Sequence, residues 1–86
     1  MKVRKKPIVV DAVQYKGTLP IEKEFSTMDY KYKDGELWIY NYLERCFVHC
    51  PRGNWIIKGF KCEFYPVEHG VFTSSYEPVL ERELLI

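Results

Sequence analysis

Along much of this chain apolar and polar residues alternate with the period of two that marks strands with one buried face. Residues Ile8 to Tyr15 combine β-branched positions with Asp11 and Gln14. Pro7 stands ahead of them and Lys16-Gly17 behind, so the stretch predicts a first strand opened by proline and closed by a turn. Beyond Thr18 the period changes. Ile21, Phe25 and Met28 recur at spacings of four and three behind Leu19-Pro20, the pattern of a short helix with proline in its first turn.

Lys33-Asp34-Gly35-Glu36 is the sharpest local signal, because Asp-Gly supplies the positive φ values of a two-residue hairpin turn. That turn sets Lys33 opposite Glu36, Tyr32 opposite Leu37, Lys31 opposite Trp38 and Tyr30 opposite Ile39, and opposed residues share a face. One face then carries Tyr30, Tyr32, Leu37 and Ile39. The second carries Lys31, Lys33, Glu36, Trp38 and Tyr40.

The third strand runs to about Leu43, and Glu44-Arg45 is polar enough to reverse the chain into Cys46-Phe47-Val48-His49-Cys50. A two-residue loop there would add Leu43, Asn41, Cys46, Val48 and Cys50 to the first face. Tyr42, Phe47 and His49 would join the second. Pro51-Arg52-Gly53 makes a further turn, Trp55 to Lys58 a strand, Gly59 to Lys61 a reversal, and Glu63-Phe64-Tyr65 a strand that Pro66 ends. Glu68 to Tyr76 has room for one or two helical turns presenting Phe72 and Tyr76, Glu77 to Leu80 for a last edge strand, and Glu81 to Ile86 for a loose tail. The expected fold is α+β: a small antiparallel sheet, barrel-like or a meander, with one or two short helices, in a single domain spanning 1–86.

Composition agrees with a folded chain. At 86 residues there is room for one core, and 47% apolar and 16% aromatic content is too high for a disordered polymer. Thirteen basic residues against twelve acidic leave a net charge of +1, which gives no global attraction to a duplex nucleic acid. The apolar run Ile8-Val9-Val10 is far short of the roughly 18 residues of a membrane span, so the chain reads as cytosolic. Three cysteines without a secretion signal read as buried thiols rather than a disulfide framework.

Candidate chemistry is sparse. Cys46, His49 and Cys50 suggest metal ligands, but within one strand the two cysteines stand about 13 Å apart and His49 points to the other face. No metal or cofactor site is expected from them. A cysteine nucleophile paired with His49 or His69 finds no support in the local sequence, and no phosphate loop, carboxylate pair or nucleophile elbow is present. The chain is therefore read as a binding protein and not an enzyme. Arg4-Lys5-Lys6 could grip a phosphate or an acidic surface, and Lys58 and Lys61 bracket Gly59, where bare backbone could approach a ligand.

The second face is the strongest clue. A small sheet needs one apolar face for its core, yet Trp38, Tyr40, Tyr42 and Phe47 occupy the other as well. Three coverings are open: the helix around Phe25, an identical subunit, or a flat ligand that stacks on rings as bases do.

Met1-Lys2-Val3-Arg4-Lys5-Lys6-Pro7-Ile8-Val9-Val10-Asp11-Ala12-Val13-Gln14-Tyr15 resembles the opening of a group of small proteins encoded by bacteriophages and prophages. Asn54 to Pro66, with Phe72 and Tyr76-Glu77-Pro78-Val79, is similar to their closing half. Those proteins usually carry tryptophan at the place of Tyr15, an acidic residue at that of Asn54 and glycine at that of Cys62; the cysteine argues against an obligatory glycine conformation there. Residues 18–50 lie outside the resemblance. It implies an accessory protein of a mobile element in the cytoplasm of an infected bacterium, with no activity or site residue to carry over.

Together these readings favour a non-enzymatic module that retunes a host process, such as a host-defence inhibitor. As an oligomer it would sequester a small nucleotide-like ligand, with Trp38, Tyr40 and Tyr42 stacking on the base and Arg4, Lys5, Lys58 or Lys61 on phosphates. Alternatively the aromatic face docks on a host protein. A virion or replication accessory role is the third reading.

Overall fold

The structure is a computed structural model that describes residues 1–3 and 7–80. Arg4, Lys5 and the tail expected at 81–86 lie outside the described residues. Six strands, β1 (Asp11–Gln14), β2 (Tyr30–Lys33), β3 (Glu36–Asn41), β4 (Cys46–Cys50), β5 (Trp55–Lys58) and β6 (Phe64–Val67), precede one helix, α1 (His69–Ser75). The class is α+β as expected, but the strands form two three-stranded antiparallel sheets, ordered β1-β5-β6 and β2-β3-β4, and not a closed barrel.

The Asp-Gly hairpin forms as read. Asp34 and Gly35 take φ of 54° and 76°, and β2 pairs with β3 in the expected register from Tyr30↔Ile39 to Lys33↔Glu36. The next connection differs. It spans four residues instead of two, so Asn41 pairs with Cys46, Ile39 with Val48 and Leu37 with Cys50. Asn41 is the cause: its side-chain Oδ1 accepts the backbone N–H groups of Leu43 and Glu44 at 2.9 and 3.1 Å, an Asx-type turn that stops the strand early. Arg45 then turns the chain at φ 56°. The pairing moves by two residues, so every side chain keeps its expected face. Leu43 and Tyr42 alone are lost from the faces, both exposed in the loop.

Between β1 and β2 the chain makes only a 3-10 turn at Lys23–Phe25 in place of the expected helix. Phe25 and Met28, three apart, reach the core, while Ile21 is left exposed. Strand β1 is shorter than expected because β5, its partner, ends at Lys58 opposite Asp11 and offers nothing to Ile8–Val10. Pro66 does not end its strand. It lies inside β6 opposite Ile56, which is permitted because β6 is an edge strand and the missing N–H need bond nothing. Glu77–Leu80 forms no strand.

The core lies between the sheets, where β3 packs on β6. Leu37, Ile39 and Cys50 come from one sheet and Ile56 and Phe64 from the other, with Tyr15, Phe25 and Met28 closing the side. Each such large side chain contributes about 1.5 to 3 kcal/mol on full burial. Ile57 is equally inaccessible but points the opposite way, alongside Trp55 and Tyr65. Helix α1 covers that back face, its first turn held by Glu68, whose carboxylate accepts from the backbone of Gly70 and Val71. The β1-β5-β6 sheet is thus buried on both faces and the β2-β3-β4 sheet on one.

Cys62 has φ of 61°, the left-handed region in which a side chain is strained. The cysteine does not argue against a glycine conformation at that turn, contrary to the reading from sequence. Cys62 is exposed, so little packing would be lost on removing its side chain. Cys62→Gly should raise stability by about 1 kcal/mol, the left-handed penalty less the extra entropy of glycine. Chemical denaturation checks it; an unchanged or lower midpoint would show that the turn carries no strain.

Candidate ligand-binding face

Because Leu37 and Ile39 point inward, Trp38 and Tyr40 point out of the β2-β3-β4 sheet, and register sets His49 and Phe47 opposite them. The result is two ring pairs. Trp38 and His49 have centroids 5.0 Å apart at 33°, and Tyr40 and Phe47 lie 5.1 Å apart at 73°, an edge-to-face pair. Lys31, on the same face of β2, holds its Nζ 4.4 Å from the Phe47 centroid. Lys33 and Glu36 complete the face beside the hairpin turn, and Glu36 Oε2 lies 3.1 Å from His49 Nε2.

The turn carrying Phe25 packs on the other side of the sheet, its ring 5.9 Å from Phe64 in the core, which removes the helix as the covering of this face. Trp38, Tyr40, Phe47 and His49 are each partly buried and partly exposed. One donor is left over: Trp38 Nε1 is shielded from solvent and has no acceptor among the described residues, an arrangement that costs about 1 to 3 kcal/mol.

The expected site residues divide. Trp38 and Tyr40 share the outer face, whereas Tyr42 has left it for the β3–β4 loop, where its hydroxyl donates to the Lys61 carbonyl. Lys61 is exposed beside that contact, and Lys58 stands in the other sheet opposite Asp11 and Phe64. The structure therefore joins Tyr42 to Lys61 but gathers neither Lys58 nor Lys61 with Trp38. Lysines 31 and 33 take that place. Alternation across the hairpin puts them there from sequence.

Cys46 is exposed and Cys50 buried, with His49 between them on the ring face. Among the described residues no three His, Cys, Asp or Glu side chains gather as a metal site would require. Burial pushes the Cys50 thiol up to about 11, which keeps it protonated and unreactive.

A second aromatic cluster lies on the back of the β1-β5-β6 sheet. Trp55 stacks on Phe72 at 4.0 Å and 10°, and Phe72 on Tyr76 at 5.0 Å and 17°. Trp55 Nε1 donates to His69 Nδ1 at 3.0 Å, fixing His69 with that nitrogen unprotonated. The rings Trp55, Phe72 and Tyr76, the segment Val9–Ala12 and Glu77, Pro78 and Val79 line an open cleft of about 440 Å³. The sequence reading had Phe72 and Tyr76 on one helical face but could not bring Trp55 to them, since that contact depends on which side of β5 the helix crosses.

No family model matches the chain, and neither a curated protein nor a solved structure does. No helix among the described residues is long and apolar enough to cross a membrane.

Burial, and then a hydrogen bond with Tyr76, push the Tyr65 phenol up to about 12. Its folded value lies above the ordinary value of 10.0, so its contribution is whole below about pH 10 and is lost as pH rises through about 12. Tyr65→Phe should flatten the alkaline fall in thermal stability across that window. Parallel losses in the two proteins would show that the α1 cluster does not depend on this phenol.

Proposed function

We propose that the protein is a non-enzymatic binding module of a mobile element that acts in the host cytoplasm and captures a flat, nucleotide-like ligand, so inhibiting a host-defence process that depends on that ligand. The observation that carries this reading is the outer face of the β2-β3-β4 sheet: two cross-strand ring pairs, each ring partly exposed, with Lys31 and Lys33 beside them. Base–aromatic stacking contributes about 1 to 3 kcal/mol per base and tolerates any base, and lysines at the rim of such a platform favour phosphate. The likeness of both chain ends to phage-encoded proteins supplies the setting. A thermal-shift experiment with AMP and cyclic di-AMP tests it: either should raise the midpoint by mass action, and Trp38→Ala should abolish the shift. No shift at millimolar concentration of either would end this reading.

The partly exposed rings of the same face support a second reading, in which the face closes on a protein surface, most simply a second copy of the chain. Twofold pairing lets one patch serve both partners, and a host protein is the other candidate for the same surface. Light scattering at micromolar concentration should then give about twice the chain mass, with Tyr40→Glu moving it toward monomer. A strictly monomeric protein whose stability is unchanged by Tyr40→Glu would rule out the self-association and leave the rings to a ligand.

A further inference from the structure

We infer that the pocket at the hairpin-turn end of the β2-β3-β4 sheet is an anion subsite in which Arg52 takes the phosphate of a nucleotide monoester whose base lies on Trp38. This rests on the reading of the outer face as a ligand platform and names where the charge of that ligand goes. The pocket holds about 420 Å³ and is lined by Tyr15, Gly35, Glu36, His49, Pro51 and Arg52. His49 belongs to both places: it lines the pocket, and its ring packs 5.0 Å from that of Trp38. A ligand stacked on the rings therefore has the pocket beside it.

The Arg52 guanidinium packs beside Gly17: a Cβ built there would stand 3.0 Å from the Arg52 Cζ and 3.1 Å from Nε. Gly17 and Gly53, at φ of 105° and 93°, shape the two turns that meet there. Among the described residues the one ion pair joins His49 to Glu36, and Arg52 has no carboxylate partner. A planar guanidinium matches phosphate oxygens two at a time. The Glu36 carboxylate is engaged at His49 Nε2, which positions the imidazole at the pocket wall and keeps that carboxylate from Arg52. Lys58 and Lys61, the cations expected from sequence to meet the phosphate, lie elsewhere, and the turn Pro51-Arg52-Gly53 brings the one that does.

Calorimetric titration of the full chain with AMP and with adenosine tests the subsite apart from the platform. AMP should bind about tenfold tighter than adenosine or more, a difference of roughly 1.4 kcal/mol. Arg52→Gln should erase that preference while leaving adenosine binding in place, Arg52→Lys should restore only part of it because the charge returns without the fork, and Trp38→Ala should weaken both ligands together. Equal affinity for the two ligands, or an AMP preference that survives Arg52→Gln, would overturn the subsite and leave the platform standing. If folded wild-type protein binds neither, the platform falls with it.

Discussion

Leu37 and Ile39 admit no solvent, and because a strand's side chains alternate, burying them obliges Trp38 and Tyr40 to face the other way. The rest of the molecule follows from that constraint. Pairing with β4 carries it one strand further, placing Cys50 inward and Phe47 and His49 outward, while β2 adds Lys31 to the outside. No rearrangement of the outer rings into the core is open to this sheet short of a one-residue slip, and such a slip would expose Leu37 and Ile39 in their place. The outer rings are thus fixed by the inner residues.

The two sheets solve burial differently. In β1-β5-β6, Ile56 points into the shared core and Ile57 points to the back, where α1 lays Phe72 against Trp55. Its four-residue central strand has no exposed apolar face. The β2-β3-β4 sheet receives no such helix. The residues that could have supplied one, between β1 and β2, make only a single turn at Lys23–Phe25 and send Leu19, Phe25 and Met28 to the core side, with Ile21 left exposed. What protects the free edge of this sheet is charge: Lys31 and Lys33 alternate with tyrosines along β2, and a second β2 paired antiparallel would set lysine against lysine.

Much of this was legible in the residues. Asp34-Gly35 determined a turn type and with it a register, and the alternation on either side determined the faces of three strands. The β3–β4 connection shows why faces survive errors that pairings do not: an Asn side chain that caps its own turn moved the register by two, and an even shift preserves every face. Other features were illegible for physical reasons. A spacing of four and three at Ile21, Phe25 and Met28 does not separate an α-helix from a single 3-10 turn that uses only the last two. The strain at Cys62 is a backbone property, invisible in a residue type that most often avoids it. Arg52 read as part of a turn because its place beside His49 depends on how the β4–β5 connection folds back toward Gly17, a contact between residues far apart in the chain.

The outer face is also the place where the molecule's own interactions are least complete. Rings that pack in pairs gain from each other, and Lys31 over Phe47 gains a further contact, but these interactions leave each ring partly exposed and one indole N–H without an acceptor among the described residues. The core contrasts with this at each point: Leu37, Ile39 and Ile56 are fully enclosed, and Asn41, its one buried polar side chain among the described residues, is occupied twice over by its own loop. Stability alone would be served by threonine or lysine at positions 38 and 40, residues that suit the exposed face of a sheet and carry no unmet donor into it. Aromatic residues there raise the exposed apolar area without strengthening the core behind them. On the proposed reading their physical rationale lies in what they can hold against that face, where Lys31 and Lys33 favour an anion and Glu36 opposes it.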